Sequence, residues 1–233
     1  MSNKGGEHKR TSEFLLAGWE RRVLPRLAAS LPEWVVPDHL TVLGLLASTA
    51  IAASYLLSNR DPRWLWAANL ALIINWFGDS LDGNLARYRK IERPRYGYYL
   101  DHLTDAYSTL AVGLGLGLSP YMLLSVGLSI SIVYLVMSIN VYLETHAFGE
   151  FSFGYGKLGP SEARIILMLL NTQALLWGPL PFNLLGVGAT IFDVAGLFAV
   201  FGMFGLLLVR VTKNLRTLAR MEPPRRRRES DQQ

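Results

Sequence analysis

Long apolar stretches, separated by short polar segments, occupy most of the chain between residues 35 and 220. A helix needs about 20 apolar residues to cross the hydrocarbon core of a bilayer. The stretches that we predict to be transmembrane helices are residues 40–57, 64–87, 97–118, 121–142, 159–177 and 185–209. The sixth continues into a polar helix, and the sequence lacks the alternating pattern typical of membrane-barrel strands. The predicted fold class is therefore all-α integral membrane, with six transmembrane helices in one domain over residues 35–220.

An amphipathic segment at residues 12–34 precedes the first apolar stretch. Its apolar residues at helical spacing are Leu16, Trp19, Val23 and Leu27. Arginines occupy the other faces of this predicted helix, a pattern that suits the membrane interface. Packing against the protein's own cytoplasmic face is the alternative. The polar ends of the chain are predicted to be a flexible N-terminus at residues 1–11 and a basic, disordered tail at residues 221–233.

The composition limits the kinds of site and partner that the chain can have. Because it contains no cysteine, it forms no disulfides or thiolate metal sites, and oxygen or imidazole must hold any metal ion. The net charge is +5, and residues 225–228 are all arginine. Beside a membrane helix, such a run more often contacts anionic lipid head groups or fixes topology than binds nucleic acid. We expect membrane lipids, and no nucleic acid, among the partners.

Lysine and arginine are unequally divided between the two sides of the predicted membrane domain. Six crossings place both termini on one side, and Arg60 and Arg63 are the basic residues that fall on the other. The excess of positive charge marks the terminal side as cytoplasmic. We therefore predict a multi-pass protein with cytoplasmic termini. The polar segment at residues 88–96, between the second and third helices, lies on the same side.

Four aspartates lie at the adjoining ends of the second and third predicted helices. The second helix carries Asp79 and Asp82, and the third carries Asp101 and Asp105. Spacings of three and four residues place each pair on one helix face. Because the connecting segment is short, we expect the helices to be antiparallel neighbours with these faces opposed. Charged residues at membrane depth are costly, and they are usually functional or paired.

Cations are needed to neutralise so dense a group of carboxylates, and hard divalent ions prefer oxygen ligands. Two ions could clamp a diphosphate and stabilise charge on the attacking and leaving oxygens. Gly83 and Gly97 remove side chains where a nucleotide or the facing helix comes close. Ala86 keeps the same groove shallow, and Arg87 can pair with a phosphate or a carboxylate. The alternative is a structural ion network between two helices.

The two helix ends resemble the signature of the CDP-alcohol phosphotransferase family, through the pattern Asp79-x2-Asp82-Gly83-x2-Ala86-Arg87-x9-Gly97-x3-Asp101-x3-Asp105. The six-helix layout is similar to that family over residues 35–215, and the segment before it resembles the family's interfacial helix. The resemblance implies an enzyme of phospholipid synthesis that transfers a substituted phosphate group from a CDP-linked donor to an alcohol and releases CMP. It also implies a cytoplasmic active site and a homodimer.

The resemblance implies a role for each matching residue. Asp79, Asp82 and Asp101 would be ligands of Mg²⁺ or Mn²⁺, with two ions bound. Asp105 would be the general base for the acceptor hydroxyl and a ligand of the second ion. The residues that would line the CDP site are Gly83, Ala86, Arg87, Thr41 and Pro37. The last two belong to a Pro-Asn-x-x-Thr-like start of the first helix, in which Asp38 replaces the asparagine.

A second polar group lies at the start of the fifth predicted helix, on the cytoplasmic side. Lys157, Glu162 and Arg164 are candidates for binding the alcohol acceptor or its phosphate. Helix capping and ion pairing at the membrane interface are the alternative, since Glu162 lies near the positive end of that helix.

Two substrate classes stay open. A CDP-diacylglycerol donor would pair with a small polar alcohol such as glycerol 3-phosphate, inositol phosphate or serine, and the compact single domain favours this class. A CDP-choline or CDP-ethanolamine donor would pair with diacylglycerol, and the run Asp101-His102-x-x-Asp105 resembles that branch of the family. The alternatives outside the family are a membrane prenyltransferase and a divalent-ion transporter.

Overall fold

The computed structural model describes residues 14–148, 159–184 and 186–222. Within these residues it contains seven helices and one antiparallel hairpin. In chain order, the elements are α1 (Ala17–Ser30), α2 (Pro37–Leu57), α3 (Trp64–Arg89), α4 (Pro94–Gly117), α5 (Leu124–Phe148), α6 (Pro160–Trp177), β1 (Pro181–Leu184), β2 (Val187–Thr190) and α7 (Ile191–Met221). The predicted N-terminus at residues 1–11, Lys157, and the basic tail beyond residue 222 lie outside the described residues.

Three of the described helices are long and apolar enough to cross a membrane, namely α2, α5 and α7. Helices α3, α4 and α6 correspond to the second, third and fifth predicted transmembrane helices, but they carry more polar side chains. The aspartates of α3 and α4 lower the mean hydropathy at one end of each. Multiple apolar helices are typical of a multi-pass membrane protein, and the six crossings stay a prediction.

Helix α2 supports the two helices that carry the aspartates, because α3 and α4 both pack along it. A Cβ atom built on Gly78 of α3 would lie 2.6 Å from the backbone nitrogen of Gly44. A Cβ atom built on Gly115 of α4 would lie 2.5 Å from the Cα atom of Ala52. Small residues allow such close packing of membrane helices. The first contact lies one residue before Asp79, so it fixes where α3 presents that carboxylate.

The remaining helices pack around these three. Helix α5 packs on α4, α7 packs on α5, and both α6 and α1 pack on α3. The largest fully buried apolar side chains of the main core are Ile51, Tyr55, Leu65, Leu72 and Phe192. A second apolar cluster joins α1 to α2 and α3 at the end of α3 that carries the aspartates.

Helix α1 is docked on α3 through apolar and polar contacts. Leu24 and Ala28 are buried in the second apolar cluster. The carboxylate of Glu20 accepts hydrogen bonds from the Trp76 indole at 2.9 Å and from the Ser161 hydroxyl at 2.6 Å. One side chain of α1 therefore connects it to both α3 and α6.

The buried face of α1 differs from the predicted apolar face. Its buried residues are Ala17, Leu24 and Ala28. Trp19 is 52% exposed, and its ring stacks on Trp76 with the ring centroids 5.7 Å apart. These contacts favour the alternative in which the helix packs on the protein itself. Its position at the membrane interface stays a prediction.

The segment before α7 corrects the predicted start of the sixth transmembrane helix and adds one short hairpin to the all-α fold. The sixth transmembrane helix is predicted to begin at residue 185, but Val187–Thr190 form β2, which pairs with β1, and α7 begins at Ile191. Gly186 in the turn has a φ of +90°, a conformation that glycine adopts without strain. A short, uniformly apolar run lacks the periodicity that distinguishes a strand from a helix.

The start of α7 is fixed by a capping box. The Thr190 hydroxyl accepts a hydrogen bond from the N–H of Phe192 at 3.0 Å, and the Asp193 carboxylate accepts one from the N–H of Thr190 at 2.8 Å. The other oxygen of Asp193 accepts from the N–H of Leu123 at 2.7 Å. Asp193 therefore ties α7 to the α4–α5 connection, at the opposite end of α4 from its aspartates.

Candidate metal and nucleotide site

Three carboxylates converge between α3 and α4. Asp79 lies on α3, whereas Asp101 and Asp105 lie one turn apart on α4. One oxygen atom of each lies within 4.8 Å of the others, a spacing compatible with shared coordination of a divalent cation. The fold thus brings three of the four predicted aspartates together.

Helices α3 and α4 are separated where these carboxylates meet. Among the described residues, each packs chiefly on α2, and they make few direct contacts with one another. The aspartate-bearing faces are thus opposed across a gap, because the small residues of α2 provide both helices with a closer surface. A crevice of about 10 Å³, with room for about one water molecule, opens here. Its lining residues are Thr41, Gly44, Leu45, Asn75, Asp79, Asp82, Thr104 and Ser108.

Asp82 lies beside the three converging carboxylates and is held by α2. Its carboxylate accepts hydrogen bonds from the Thr41 hydroxyl at 2.7 Å and from the N–H of Gly83. It lines the same crevice as Asp79, although it does not belong to the group of oxygens that lie within 4.8 Å. Its role as a metal ligand stays a prediction.

Arg164 of α6 reaches the carboxylates directly. Its Nη2 donates to Oδ2 of Asp79 at 2.6 Å, and its Nε donates to Oδ1 of Asn75 at 2.8 Å. The Arg164 side chain is 12% exposed. The predicted acceptor-binding residue therefore lies within the aspartate cluster. Asn75 was not indicated as a site residue, although its position four residues before Asp79 places it on the same face of α3.

In their ionised form, the aspartates of this cluster outnumber the nearby cationic side chains. Four ionised aspartates carry four negative charges, and within the described residues the guanidinium groups of Arg164 and Arg87 supply two positive ones. Uncompensated charge at membrane depth is costly. The converging donor atoms are carboxylate oxygens, which suit Mg²⁺ and Mn²⁺. The residues present therefore fit the predicted metal ions.

Residues 34–207 match the profile of the CDP-alcohol phosphatidyltransferase family. The chain belongs to this family. The matched segment includes all of α2 to α6 and more than half of α7. The family predicted from the aspartate pattern is confirmed, and its members are integral membrane enzymes of phospholipid biosynthesis.

Relatives with different names match the chain. Phosphatidylinositol phosphate synthase of Cutibacterium acnes is 33% identical over 107 residues, which are 46% of this chain and 49% of the relative. Cholinephosphotransferase 1 of Danio rerio is 28% identical over 189 residues, 75% of this chain and 48% of the relative. Cholinephosphotransferase 1 of Gallus gallus is 28% identical over 199 residues, which are 78% of this chain and 57% of the relative. The chain thus spans about half the length of these relatives.

The family signature continues into the predicted CDP site at the ends of α3 and α4. The Arg87 guanidinium lies over Gly83, with Nη1 3.5 Å from where a Cβ atom on that glycine would be. A Cβ atom built on Gly97 would have no described atom within 4 Å, apart from those of the adjacent residues and of the α4 backbone itself. Open space therefore adjoins the motif at Gly97, and CDP binding by Gly83, Ala86 and Arg87 stays a prediction.

The start of α2 differs from the common family pattern at Asp38. Pro37 is the first residue of the helix. Asp38 pairs with Arg93 and accepts a hydrogen bond from the Tyr96 hydroxyl at 3.4 Å. These contacts connect the starts of α2 and α4, and the hydrogen bond to the Asp38 carboxylate raises the pKa of Arg93 above its ordinary value. The sequence pattern gives no sign of this pair because 55 residues separate the two.

Glu162 is 7% exposed, and both of its carboxylate oxygens are engaged. Oε1 accepts a hydrogen bond from the N–H of Leu16 at 2.8 Å, and Oε2 accepts one from the N–H of Gly159 at 2.9 Å. These bonds cap α6, as the alternative to acceptor binding supposes, and they connect α6 to the segment before α1. Acceptor binding by Glu162 is untested.

Arg89 is another residue that the sequence pattern did not indicate. Its guanidinium donates to the backbone carbonyls of Leu31, Pro32, Glu33 and Val35. These bonds hold the connection between α1 and α2 against the end of α3. Arg89 therefore has a structural role beside the motif residue Arg87.

An aromatic cluster borders Asp101. The His102 ring centroid lies 4.1 Å from that of Tyr98 and 5.0 Å from that of Tyr142. Its Nδ1 lies 3.7 Å from Oδ2 of Asp101. The ring faces of Tyr98 and Tyr142, near the Asp101 carboxylate, form an environment that favours a cation.

Proposed function

We propose that this chain is a metal-dependent CDP-alcohol phosphotransferase, which moves a substituted phosphate group from a CDP-linked donor to an alcohol hydroxyl and releases CMP. The observation that carries the proposal is the convergence of Asp79, Asp101 and Asp105 from two separated helices, in a chain of this family. These residues and Asp82 would hold Mg²⁺ or Mn²⁺. When bound, the ions neutralise the diphosphate and stabilise charge on the attacking and leaving oxygens.

Asp105 is the proposed general base. An acceptor hydroxyl beside this carboxylate gives up its proton as its oxygen attacks the phosphorus next to CMP. The bond between that phosphorus and the bridging oxygen breaks, and the electron pair leaves with CMP. Proton removal need only accompany attack, so positioning and charge neutralisation supply most of the rate.

The proposed nucleotide site lies at the same ends of α2, α3 and α4. Its residues are Gly83, Ala86, Arg87, Pro37 and Thr41. The guanidinium of Arg87 at the end of α3 suits a phosphate, and the open space at Gly97 leaves room for a nucleotide. Arg164 is the proposed contact for the acceptor, because it lies beside the carboxylates at which the acceptor hydroxyl reacts.

We propose CDP-diacylglycerol as the donor and a small polar alcohol as the acceptor. The 33% identity to a phosphatidylinositol phosphate synthase supports this choice. A second candidate pair is CDP-choline or CDP-ethanolamine with diacylglycerol. It is favoured by the Tyr98 and Tyr142 rings beside His102, since tyrosine faces bind quaternary ammonium groups, and by the matches to two cholinephosphotransferases.

Release of CMP from each donor–acceptor pair tests both proposals. The purified protein in lipid nanodiscs would receive CDP-diacylglycerol with a series of polar alcohols, or CDP-choline with diacylglycerol. We expect CMP from the first set, with Mg²⁺ or Mn²⁺ and not with EDTA. CMP from the second pair alone would favour the second candidate. Turnover of a prenyl diphosphate, or ion flux in liposomes without CMP formation, would contradict the proposed reaction.

The proposed topology has six crossings, with both termini and the active site in the cytoplasm. The distribution of lysine and arginine supports this orientation. Because the chain contains no cysteine, single cysteines can be labelled in intact cells with a membrane-impermeant maleimide. We expect labelling of Arg60→Cys and none of Ile91→Cys, and the reverse result would contradict the orientation. The homodimer stays a prediction that light scattering in detergent would test.

A further inference from the structure

Asn75 connects three helices at one point beside the carboxylates. Its side chain is 5% exposed, and its Oδ1 accepts the hydrogen bond from Nε of Arg164 on α6. Its Nδ2 donates to the carbonyl oxygen of Gly44 at 3.0 Å and to the Ser48 hydroxyl at 2.9 Å, both on α2. The amide thus fixes the position of the arginine relative to the α2 backbone.

Ser48 connects Asn75 to α4 as well. Its hydroxyl lies 2.7 Å from that of Ser108 on α4, one turn beyond the predicted metal ligands of that helix. The bonds of Asn75 therefore connect, directly or through Ser48, the helices that supply the converging carboxylates.

Arg164 contacts Asp79 through one nitrogen in this arrangement. Nη2 donates to Oδ2 of Asp79 at 2.6 Å, while Nε is held by Asn75. An unrestrained guanidinium often binds a carboxylate with two parallel N–H bonds. Because Asn75 occupies Nε, the ion pair engages one oxygen of Asp79 and leaves the other outside it.

We propose that Asn75 is a positioning residue of the metal centre and acts through Arg164, an inference that rests on the proposed function. By holding Nε, it blocks the side-on pairing in which Nε and Nη2 would bind the two oxygens of Asp79. One oxygen of that carboxylate is thereby kept for the cation that Asp101 and Asp105 share. Asn75 itself does not contact the reacting atoms.

Mn²⁺ binding to the full chain without substrates, measured by electron paramagnetic resonance, tests this role. Asn75→Leu keeps the number of side-chain heavy atoms but cannot hold Nε, so Arg164 becomes a stronger competitor for Asp79. We expect Mn²⁺ affinity to fall about tenfold, the size of effect of a lost hydrogen bond to a charged group. The Mn²⁺ concentration for half-maximal turnover should rise by a similar factor, with kcat at saturating Mn²⁺ little changed.

Asn69→Leu is the matched control. Asn69 is another buried asparagine of α3, and it bonds to Asn171 and Thr172 of α6, away from the carboxylates. This variant should lose stability without a change in Mn²⁺ affinity. Asn75→Ala also removes the acceptor for Nε of Arg164, without adding bulk or charge, so we expect its Mn²⁺ affinity to fall by a similar factor. It also keeps the test decisive if Asn75→Leu does not fold.

A double-mutant cycle with Arg164→Gln completes the test. Since Asn75 acts through Arg164, Asn75→Leu should not change Mn²⁺ affinity in the Arg164→Gln background. Equal Mn²⁺ binding by the wild type and Asn75→Leu would overturn the inference, as would an equal loss in Asn69→Leu. Failure of the wild type to bind Mn²⁺ would overturn the proposed metal centre together with the inference.

Discussion

Two polar networks lie along α3, and they differ in charge and in burial: Asn69 and Asn171 are buried, whereas Asp79 and Asp101 are partly exposed. The amide network consists of Tyr55, Asn69, Asn171 and Thr172. The carboxylate network consists of Asn75, Asp79, Asp101, Asp105 and Arg164. In the amide network, the Tyr55 hydroxyl donates to Asn171 at 3.1 Å, and Asn171 donates to Asn69 at 2.8 Å. In the carboxylate network, Arg164 pairs with one of three acidic side chains.

The amide network satisfies its own hydrogen bonds, and it joins α2, α3 and α6 as polar residues between membrane helices commonly do. The carboxylate network has hydrogen bonds of similar length but retains a net negative charge, which is costly at membrane depth. A bound cation would offset that cost. The comparison teaches that unbalanced charge on partly exposed side chains, more than hydrogen bonding, distinguishes a candidate site from a buried structural network.

The largest expected effect is the loss of turnover when the carboxylate network loses its proposed base. Asp105→Asn should lower kcat by about 10²–10⁴-fold, while the CDP-linked donor still binds. Because the change removes charge from a net negative cluster, the metal-free protein should unfold at the same or a higher temperature. CMP release, donor titration and thermal unfolding measure these three outcomes. Near-full activity would show that the base is another group.

Asp79→Asn and Asp101→Asn should weaken the metal centre itself. Each removes a charged oxygen ligand, so Mn²⁺ affinity should fall about tenfold or more, and metal-dependent donor binding should fall with it. Asp61→Asn is the control, since Asp61 is a partly exposed aspartate before α3, at the far end of that helix from Asp79. Similar losses in all three variants would indicate a general electrostatic effect and not ligation.

In the amide network, a comparable substitution should change stability instead. Asn171 is fully buried, and Asn171→Leu removes the partners of the Tyr55 hydroxyl and the Asn69 carbonyl. We expect the free energy of unfolding to fall by about 1–2 kcal/mol, with kcat and Mn²⁺ affinity unchanged. Denaturation in detergent measures the first quantity. A drop in Mn²⁺ affinity would mean that the two networks are not separate.

The smallest expected effect concerns Asp82, which borders the carboxylate network. Thr41→Val preserves the shape of the side chain but removes the 2.7 Å hydrogen bond to Asp82. A loss of about 1 kcal/mol would raise the KM for the CDP-linked donor about fivefold. Steady-state kinetics at a fixed Mn²⁺ concentration measures this KM. An unchanged KM would argue against a role for Asp82 in donor binding.

Local spacing predicts the part of this arrangement that depends on single helices. The predicted helix at residues 64–87 is Trp64–Arg89 in the structure. A long apolar run forms a helix in a membrane because a helix pairs its backbone N–H and C=O groups within the segment. The interval of four residues predicts that Asp101 and Asp105 share one face, and the short connection between α3 and α4 predicts that this face lies opposite Asp79. Both successes rest on properties of the chain within a few turns.

The partners of these residues could not be predicted in the same way. Arg164 and Asp79 are 85 residues apart, and no local pattern indicates which face of α6 meets α3. The four carbonyls held by Arg89 depend on the path of the chain between α1 and α2. The hairpin before α7 lies in an apolar run too short for periodicity to separate strand from helix.

The close contact at Gly78 has a consequence for how the gene can vary. A Cβ atom there would lie 2.6 Å from backbone atoms of Gly44 and Leu40, which cannot rotate aside as a side chain does. A single-base change of this glycine codon to alanine would push α2 away from α3. It would separate Thr41 from Asp82 without altering an atom of either. The proposed catalysis thus depends on a codon whose residue supplies no chemical group to the reaction.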